Sequence, residues 1–244
     1  MNTQKTLEQL RSLRLTGMAR RYEAAIALPA HEIMEPHSLV SIITQAEVEY
    51  REQSRTQKFL KASKLRYNAL PEEIICNPER GITREQILRL SDGAFIDLAQ
   101  NVLITGSTGT GKSFAACALG RSACLLGYRT LYFGMSKFLE TLAQARLEGT
   151  YLKWLKSMST IKLLIFDDFG LKEFNSDARI ALLDILEDRY GIGSTMITSQ
   201  VPVENWHSLF KDKTHGDAIL DRLTGGAAHR IELKGKSMRI KKNY

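Results

Sequence analysis

The stretch Gly106-Ser107-Thr108-Gly109-Thr110-Gly111-Lys112-Ser113 constrains this chain more than any other. It has the form GxxxxGK[ST], a glycine-rich turn that belongs between a buried strand and a helix. Both flanks are present. Asn101-Val102-Leu103-Ile104-Thr105 reads as the strand, and Phe114-Ala115-Ala116-Cys117-Ala118-Leu119 as the start of the helix. At such a junction the glycines let backbone amides close around an anion, where the unpaired N–H groups and the helix dipole already favour negative charge. Lys112 then reaches the β and γ phosphates of a nucleoside triphosphate, and the Ser113 hydroxyl ligates Mg²⁺. Gly106, Ser107, Thr108, Gly109, Thr110, Gly111, Lys112, Ser113 and Phe114 are therefore the expected nucleotide-binding residues, with ATP and Mg²⁺ as the expected cofactors.

A second signal lies 55 residues beyond Lys112. Leu163-Leu164-Ile165-Phe166 is an uninterrupted apolar run, the pattern of a strand buried on both faces, and it ends in Asp167-Asp168. Acids at the carboxyl end of such a strand fall where α/β sheets hold their ligands. Asp167 is expected to hold Mg²⁺ through its hydration shell, and Asp168 to orient or deprotonate the attacking water. The strand Thr195-Met196-Ile197-Thr198 ends in Ser199-Gln200, polar groups on the neighbouring edge that would sense the γ-phosphate or position water. Further on, Asp217-Ala218-Ile219-Leu220-Asp221-Arg222-Leu223 reads as a short amphipathic helix with an arginine among acids. Two readings of Arg222 stand: it pairs with Asp221 or Asp217, or it reaches the γ-phosphate held by an adjacent subunit.

Around these motifs strands at 101–105, 130–133, 161–166 and 195–198 alternate with helices near 112–126, 136–147 and 176–190. That alternation implies an α/β domain with a mostly parallel sheet flanked by helices, assigned to residues 82–233. Upstream the pattern is helical. Leu7, Leu10, Met18, Tyr22, Ala25 and Ile26 recur at three- and four-residue steps, with Thr6-Leu7-Glu8-Gln9 as a capping box and Gly17 a weak point in the middle. After Pro29 and Pro36, Ser38 caps a longer helix whose apolar face is Leu39, Ile42, Ile43 and Ala46. Residues 1–66 are thus expected as a small all-helical domain serving DNA binding and assembly. Residues 67–81, with Pro71, Pro78 and Gly81, are expected as a linker, and 234–244 as a basic tail.

Charge speaks to partners. With 34 Lys+Arg against 27 Asp+Glu the chain carries a net +7, which points to polyanions. Along the long helix Arg51, Arg55, Lys58, Lys61, Lys64 and Arg66 recur, the first three stacked on one face. Such a run is either a solvated helix face or a set of phosphate contacts for duplex DNA, blind to base sequence. Lys234, Lys236, Arg239, Lys241 and Lys242 near the carboxyl terminus leave the same two readings open. At 244 residues the chain has room for one α/β domain with an appendage. No apolar run approaches the roughly 18 residues of a membrane helix, and the amino terminus has no apolar stretch of a secretory signal. Cys76, Cys117 and Cys124 form no CxxC pair, so buried thiols and a cytoplasmic location are expected.

Taken in order, Gly106 to Ser113, Leu163 to Gly170, Ile197-Thr198-Ser199-Gln200-Val201-Pro202-Val203-Glu204-Asn205-Trp206, Ala218 to Leu223 and Arg230 to Ser237 resemble the IstB-type transposition helper ATPases. These are relatives of the DnaC helicase loader and the DnaA initiator. Leu13-Arg14-Leu15-Thr16-Gly17-Met18-Ala19 also resembles that family, so the likeness spans essentially the whole chain. It implies an AAA+ ATPase that self-associates on double-stranded DNA with ATP between neighbouring subunits, and hands target DNA to a partner transposase. It further implies Lys112 and Ser113 as nucleotide and Mg²⁺ groups, Asp167 as the metal acid, Gln200 as the sensor and Arg222 as the arginine acting in trans. Asp168 stands where AAA+ enzymes commonly carry glutamate, so looser water alignment and slower hydrolysis are expected. The core is followed by too few residues for a helical lid, and no lid arginine is expected. A helicase loader using ATP as a switch is the second reading. A small-molecule kinase would need an acceptor pocket and a lid-like insertion, and no such insertion is seen in the sequence.

Overall fold

The computed structural model describes residues 3–29, 34–210, 213–225 and 228–238. The chain divides into two units, residues 1–58 and 59–244. In the first, α1 (Thr3–Ser12) and α2 (Thr16–Ile26) precede α3 (Pro36–Ser63), which continues into the second unit. The apolar repeat from Leu7 to Ile26 therefore makes two helices rather than one, with Arg14 at φ +58° between them. Gly17 stands at the start of α2, where a Cβ would lie 2.4 Å from the Ala46 carbonyl oxygen and 2.7 Å from Glu47 Cα. Close approach of two helices, not a weakened helix interior, is what requires glycine there. Thr6 lies inside α1, so the capping box expected at that position marks no helix start. The cap of α2 comes instead from α3: the buried Glu47 carboxylate accepts the amides of Gly17 at 2.7 Å and Met18 at 3.1 Å.

The division at Lys58/Phe59 comes before the boundary expected at residue 66, and residues 67–81 are not a linker. Ala69 and Pro71 are buried, and Asn77 bridges to the buried Ile82. Proline misleads here because Pro71 and Pro78 each open a tight 3₁₀ turn, a use of the fixed proline φ that rigidifies rather than loosens the chain. The helices α4 (Arg84–Ser91), capped reciprocally by Thr83 and Gln86, and α5 (Ala94–Asp97) follow.

The sheet is built from β1 (Val102–Gly106), β2 (Thr130–Gly134), β3 (Leu163–Phe169), β4 (Ser194–Ser199) and β5 (His229–Leu233) in the order β2-β3-β4-β1-β5, every pairing parallel. Between them run α6 (Lys112–Leu125), α7 (Met135–Leu147), α8 (Tyr151–Ser159), α9 (Ser176–Arg189) and α10 (Lys213–Thr224). Strand residues alternate between two cores. Val102, Ile104, Leu163, Ile165 and Met196 pack with Ile87, Ala116 and Leu119, whereas Leu103, Leu164, Phe166 and Ile197 pack with Phe138, Leu182 and Ile185. Both faces are covered, which is why these strands read as continuous apolar runs. The elements α4, α5, α8 and β5 were not among those expected. Among the described residues no helix is long and apolar enough to cross a membrane.

Candidate active site

The order of the strands puts the two motifs together: β1 and β3 flank β4, and their carboxyl ends lie at one edge of the sheet. Leaving β1, Gly106 takes φ +145° and a Cβ there would meet the Leu233 carbonyl oxygen at 2.2 Å. Gly109 and Gly111 also adopt positive φ, +84° and +98°, before α6 begins at Lys112. With glycine as its N-cap, α6 offers its first amides to an anion rather than to a side-chain oxygen. Lys112 is almost fully buried and folds back over the loop, its Nζ donating to the Ser107 carbonyl at 2.9 Å. The loop is braced from outside by Arg80, whose Nη2 donates to the Thr110 carbonyl at 2.8 Å, and by the Met238 amide, 2.8 Å from the Gly109 carbonyl.

At the end of β3 Asp167 is wholly buried and fully engaged. Its Oδ1 accepts from Ser113 Oγ at 2.8 Å and from the Thr198 hydroxyl, and its Oδ2 accepts from the Tyr132 hydroxyl. Burial, reinforced by the Asp167 charge, pushes the Tyr132 phenol far above its ordinary value, so this group stays a proton donor. Asp168 differs. The register of β3 on β4 slips between Phe166 and Phe169, Asp168 takes φ +62°, and its amide donates to Thr198 Oγ1 at 3.2 Å. The twist sends one carboxylate into the core and leaves the next beside a cavity of about 410 Å³. Gln200, just past β4, accepts from Thr108 Oγ1 at 2.6 Å and borders the same cavity.

That cavity has an apolar wall of Tyr67, Ile74, Ile75, Ile82, Phe114 and Leu233 and a polar floor of loop residues, dimensions and chemistry that suit a nucleotide. Half of that wall, Tyr67, Ile74 and Ile75, comes from the segment expected to be a linker. Sequence reasoning also missed Arg66, Tyr132, Thr198 and Arg80, which surround the acids and the loop. Arg66 left a trace as the last cation of the basic run, and Thr198 as the end of the strand before Ser199-Gln200.

Arg222 lies elsewhere. Its Nη1 and Nη2 bind Asp221 at 2.8 Å and Glu187 at 3.1 Å, its guanidinium sits 4.9 Å over the Tyr190 ring, and its carbonyl accepts from Asn101 at the amino-terminal end of β1. Asp217, the other partner considered, meets His207 instead. Of the basic run, Arg51, Arg55 and Lys58 line one concave patch of the first unit with Arg14 and Tyr50. Arg51 is also paired with Glu47 at 2.8 Å. Lys61 and Lys64 fall in the second unit, Lys64 just past α3 at φ +54°. Cys117 and Cys124 are buried thiols on α6. Arg239, Lys241 and Lys242 lie outside the described residues.

The sequence profile of the IstB-like ATP-binding proteins matches residues 8–244. The chain belongs to that family. Two insertion-sequence ATP-binding proteins of Sinorhizobium fredii are each 40% identical over 234 residues, 96% of this IstB-like chain and about 95% of theirs. The insertion sequence IS21 ATP-binding protein of Pseudomonas aeruginosa is 27% identical over 95% of the chain and 87% of its own length. Among solved structures, AMPPCP-bound DnaA from Aquifex aeolicus superposes with a TM-score of 0.59 at 21% identity, over 71% of this chain and 53% of that one. A DnaC helicase loader superposes at 0.58 and 20% identity, over 69% of this chain and 98% of that one. The fold is that of the AAA+ P-loop NTPases.

Proposed function

We propose that this IstB-like chain binds ATP with Mg²⁺, hydrolyses the ATP, self-associates on duplex DNA and delivers target DNA to a partner transposase. The observation that carries the ATPase reading is the 2.8 Å meeting of Ser113 Oγ, in the first turn of α6, with Asp167 Oδ1, at the end of β3. A hydroxyl and a carboxylate converging beside an anion-binding helix start form the hard-oxygen donor set that Mg²⁺ takes while keeping several waters. Mg²⁺, when bound, supplies charge neutralisation to the phosphate oxygens.

The chain's own groups do the rest. The α6 amides and Lys112 hold the β and γ phosphates, and the apolar wall takes the base. Asp168, bordering the cavity, accepts a proton from water as the water oxygen bonds to the γ phosphorus and the bond to the ADP oxygen breaks. Gln200, tied to Thr108, orients that water or the terminal phosphate. Arg222, remote from its own loop, serves the ATP of a neighbouring subunit.

The insertion-sequence setting of the relatives supports transposition over helicase loading; the likeness to DnaC bears on fold alone. The test is phosphate release by the full chain with and without duplex DNA, together with retention of the transposase of the same insertion sequence on that DNA. ATP turnover raised by DNA, and transposase retained only when the chain and ATP are both present, are the expected results. No turnover in either condition removes the enzyme reading. Capture of a replicative helicase in place of the transposase would favour the loader.

A further inference from the structure

Arg66 is a cation beside the acid pair that interacts with Tyr132, the phenol that donates to Asp167. It follows α3 closely, after the chain has turned at Lys64. Its Nη1 lies 3.7 Å from Asp167 Oδ2 and 3.9 Å from Asp168 Oδ2. Both distances exceed a hydrogen bond, whereas a guanidinium serving as a structural staple closes on a carboxylate at about 2.7–2.9 Å. Asp167 has closer partners in Ser113, Thr198 and Tyr132. The Arg66 side chain is half exposed, stacks 5.3 Å over the Tyr67 ring, and borders the same cavity as Thr108, Lys112 and Gln200. It is thus a planar donor fork drawn toward two acids by charge, not locked to either, at the edge of the space above the α6 amides.

We propose that Arg66 binds the terminal phosphate of ATP from within the same chain, and so makes this site distinguish ATP from ADP. The assignment rests on reading the cavity as the nucleotide site. A γ-phosphate entering beside Asp167 and Asp168 meets two like charges, and ADP, which stops one phosphate short, does not. Lys112 offsets that repulsion from the loop side; Arg66 offsets it from the acid side. A tetrahedral oxyanion also offers the fork two adjacent acceptors at hydrogen-bond distance, which Asp167 and Asp168, at 3.7 and 3.9 Å from Nη1, do not. Arg222 supplies no such group within one chain, being anchored at the opposite end of the sheet.

The test uses the full chain with Arg66→Ala, Arg66→Lys and Lys112→Ala, and calorimetric titration with Mg²⁺ and either AMPPCP or ADP. Arg66→Ala should lose roughly tenfold or more in AMPPCP affinity, the loss of one charge-assisted contact, and stay within about twofold for ADP. Retained ADP binding also reports an intact fold. Arg66→Lys should recover part of the loss, since it restores the charge without the fork. An equal loss for both nucleotides, or no loss for either, overturns the proposal. Lys112→Ala should weaken both; if it binds both like the wild type, the cavity is not the nucleotide site, a failure distinct from that of Arg66.

Discussion

Asp168 holds a backbone conformation that few residue types accept. At φ +62° it sits in the left-handed region, where aspartate and asparagine are tolerated because their short polar side chains bond locally, and most others are strained. The slip of β3 on β4 and the Thr198 hydroxyl fix that conformation, which turns the carboxylate away from the buried Asp167 and toward the cavity. Strain of this kind concentrates at working sites. Asp168→Asn keeps the backbone preference and removes only the proton acceptor. It should therefore fold and bind ATP at least as tightly as the wild type does, while steady-state phosphate release falls by roughly 10²- to 10⁴-fold, the usual contribution of a general base. Turnover at the wild-type rate would assign water activation to another group.

Among the elements, α3 does two jobs. Its apolar side receives α2 at Gly17, and Glu47 caps the incoming helix. Burial raises the Glu47 carboxyl, but Arg51 and the amides of Met18 and Gly17 outweigh it, holding the group below its ordinary value of 4.5. A carboxyl lowered in the folded state contributes stability that is complete above its unfolded value and is lost as pH falls through the folded one. The helical unit should accordingly loosen at pH values below about 4.5. Thermal melts followed by circular dichroism should show this acid loss in the wild type and a smaller one in Glu47→Gln, and identical pH profiles would remove Glu47 from the account. The other job, proposed for α3, belongs to its basic face. Arg55→Ala and Lys58→Ala should weaken duplex binding alike on any sequence and each lower the slope of log affinity against log salt by about one, the signature of a lost phosphate contact. An unchanged slope in filter-binding titrations would return that face to solvent.

For the whole molecule the decisive residue is Arg222, which pairs with Glu187 and Asp221 and cannot complete the site of its own chain. If a neighbour's ATP receives it, Arg222→Ala should bind ATP and hydrolyse it about 10³- to 10⁵-fold more slowly. Mixing it with Lys112→Ala should restore part of the rate, because some boundaries then join an intact loop to an intact arginine. Full activity of Arg222→Ala at dilutions that prevent association would show a site complete in one chain. The phosphate loop, the Asp167-Asp168 strand end and the parallel sheet were legible in the sequence because each is a local pattern: consecutive residues set a strand, a tight turn and a helix start. The break between α1 and α2 was not, since the reason for Gly17 is the Ala46 carbonyl on another helix. Nor was the role of residues 67–81, where the Pro71 turn packs into the core and Tyr67, Ile74 and Ile75 wall the cavity. The shell around Asp167 comes from Arg66, Ser113, Tyr132 and Thr198, on four separate segments. A buried carboxylate needs every donor it can reach, and which donors reach it is fixed only when strand order brings distant segments together.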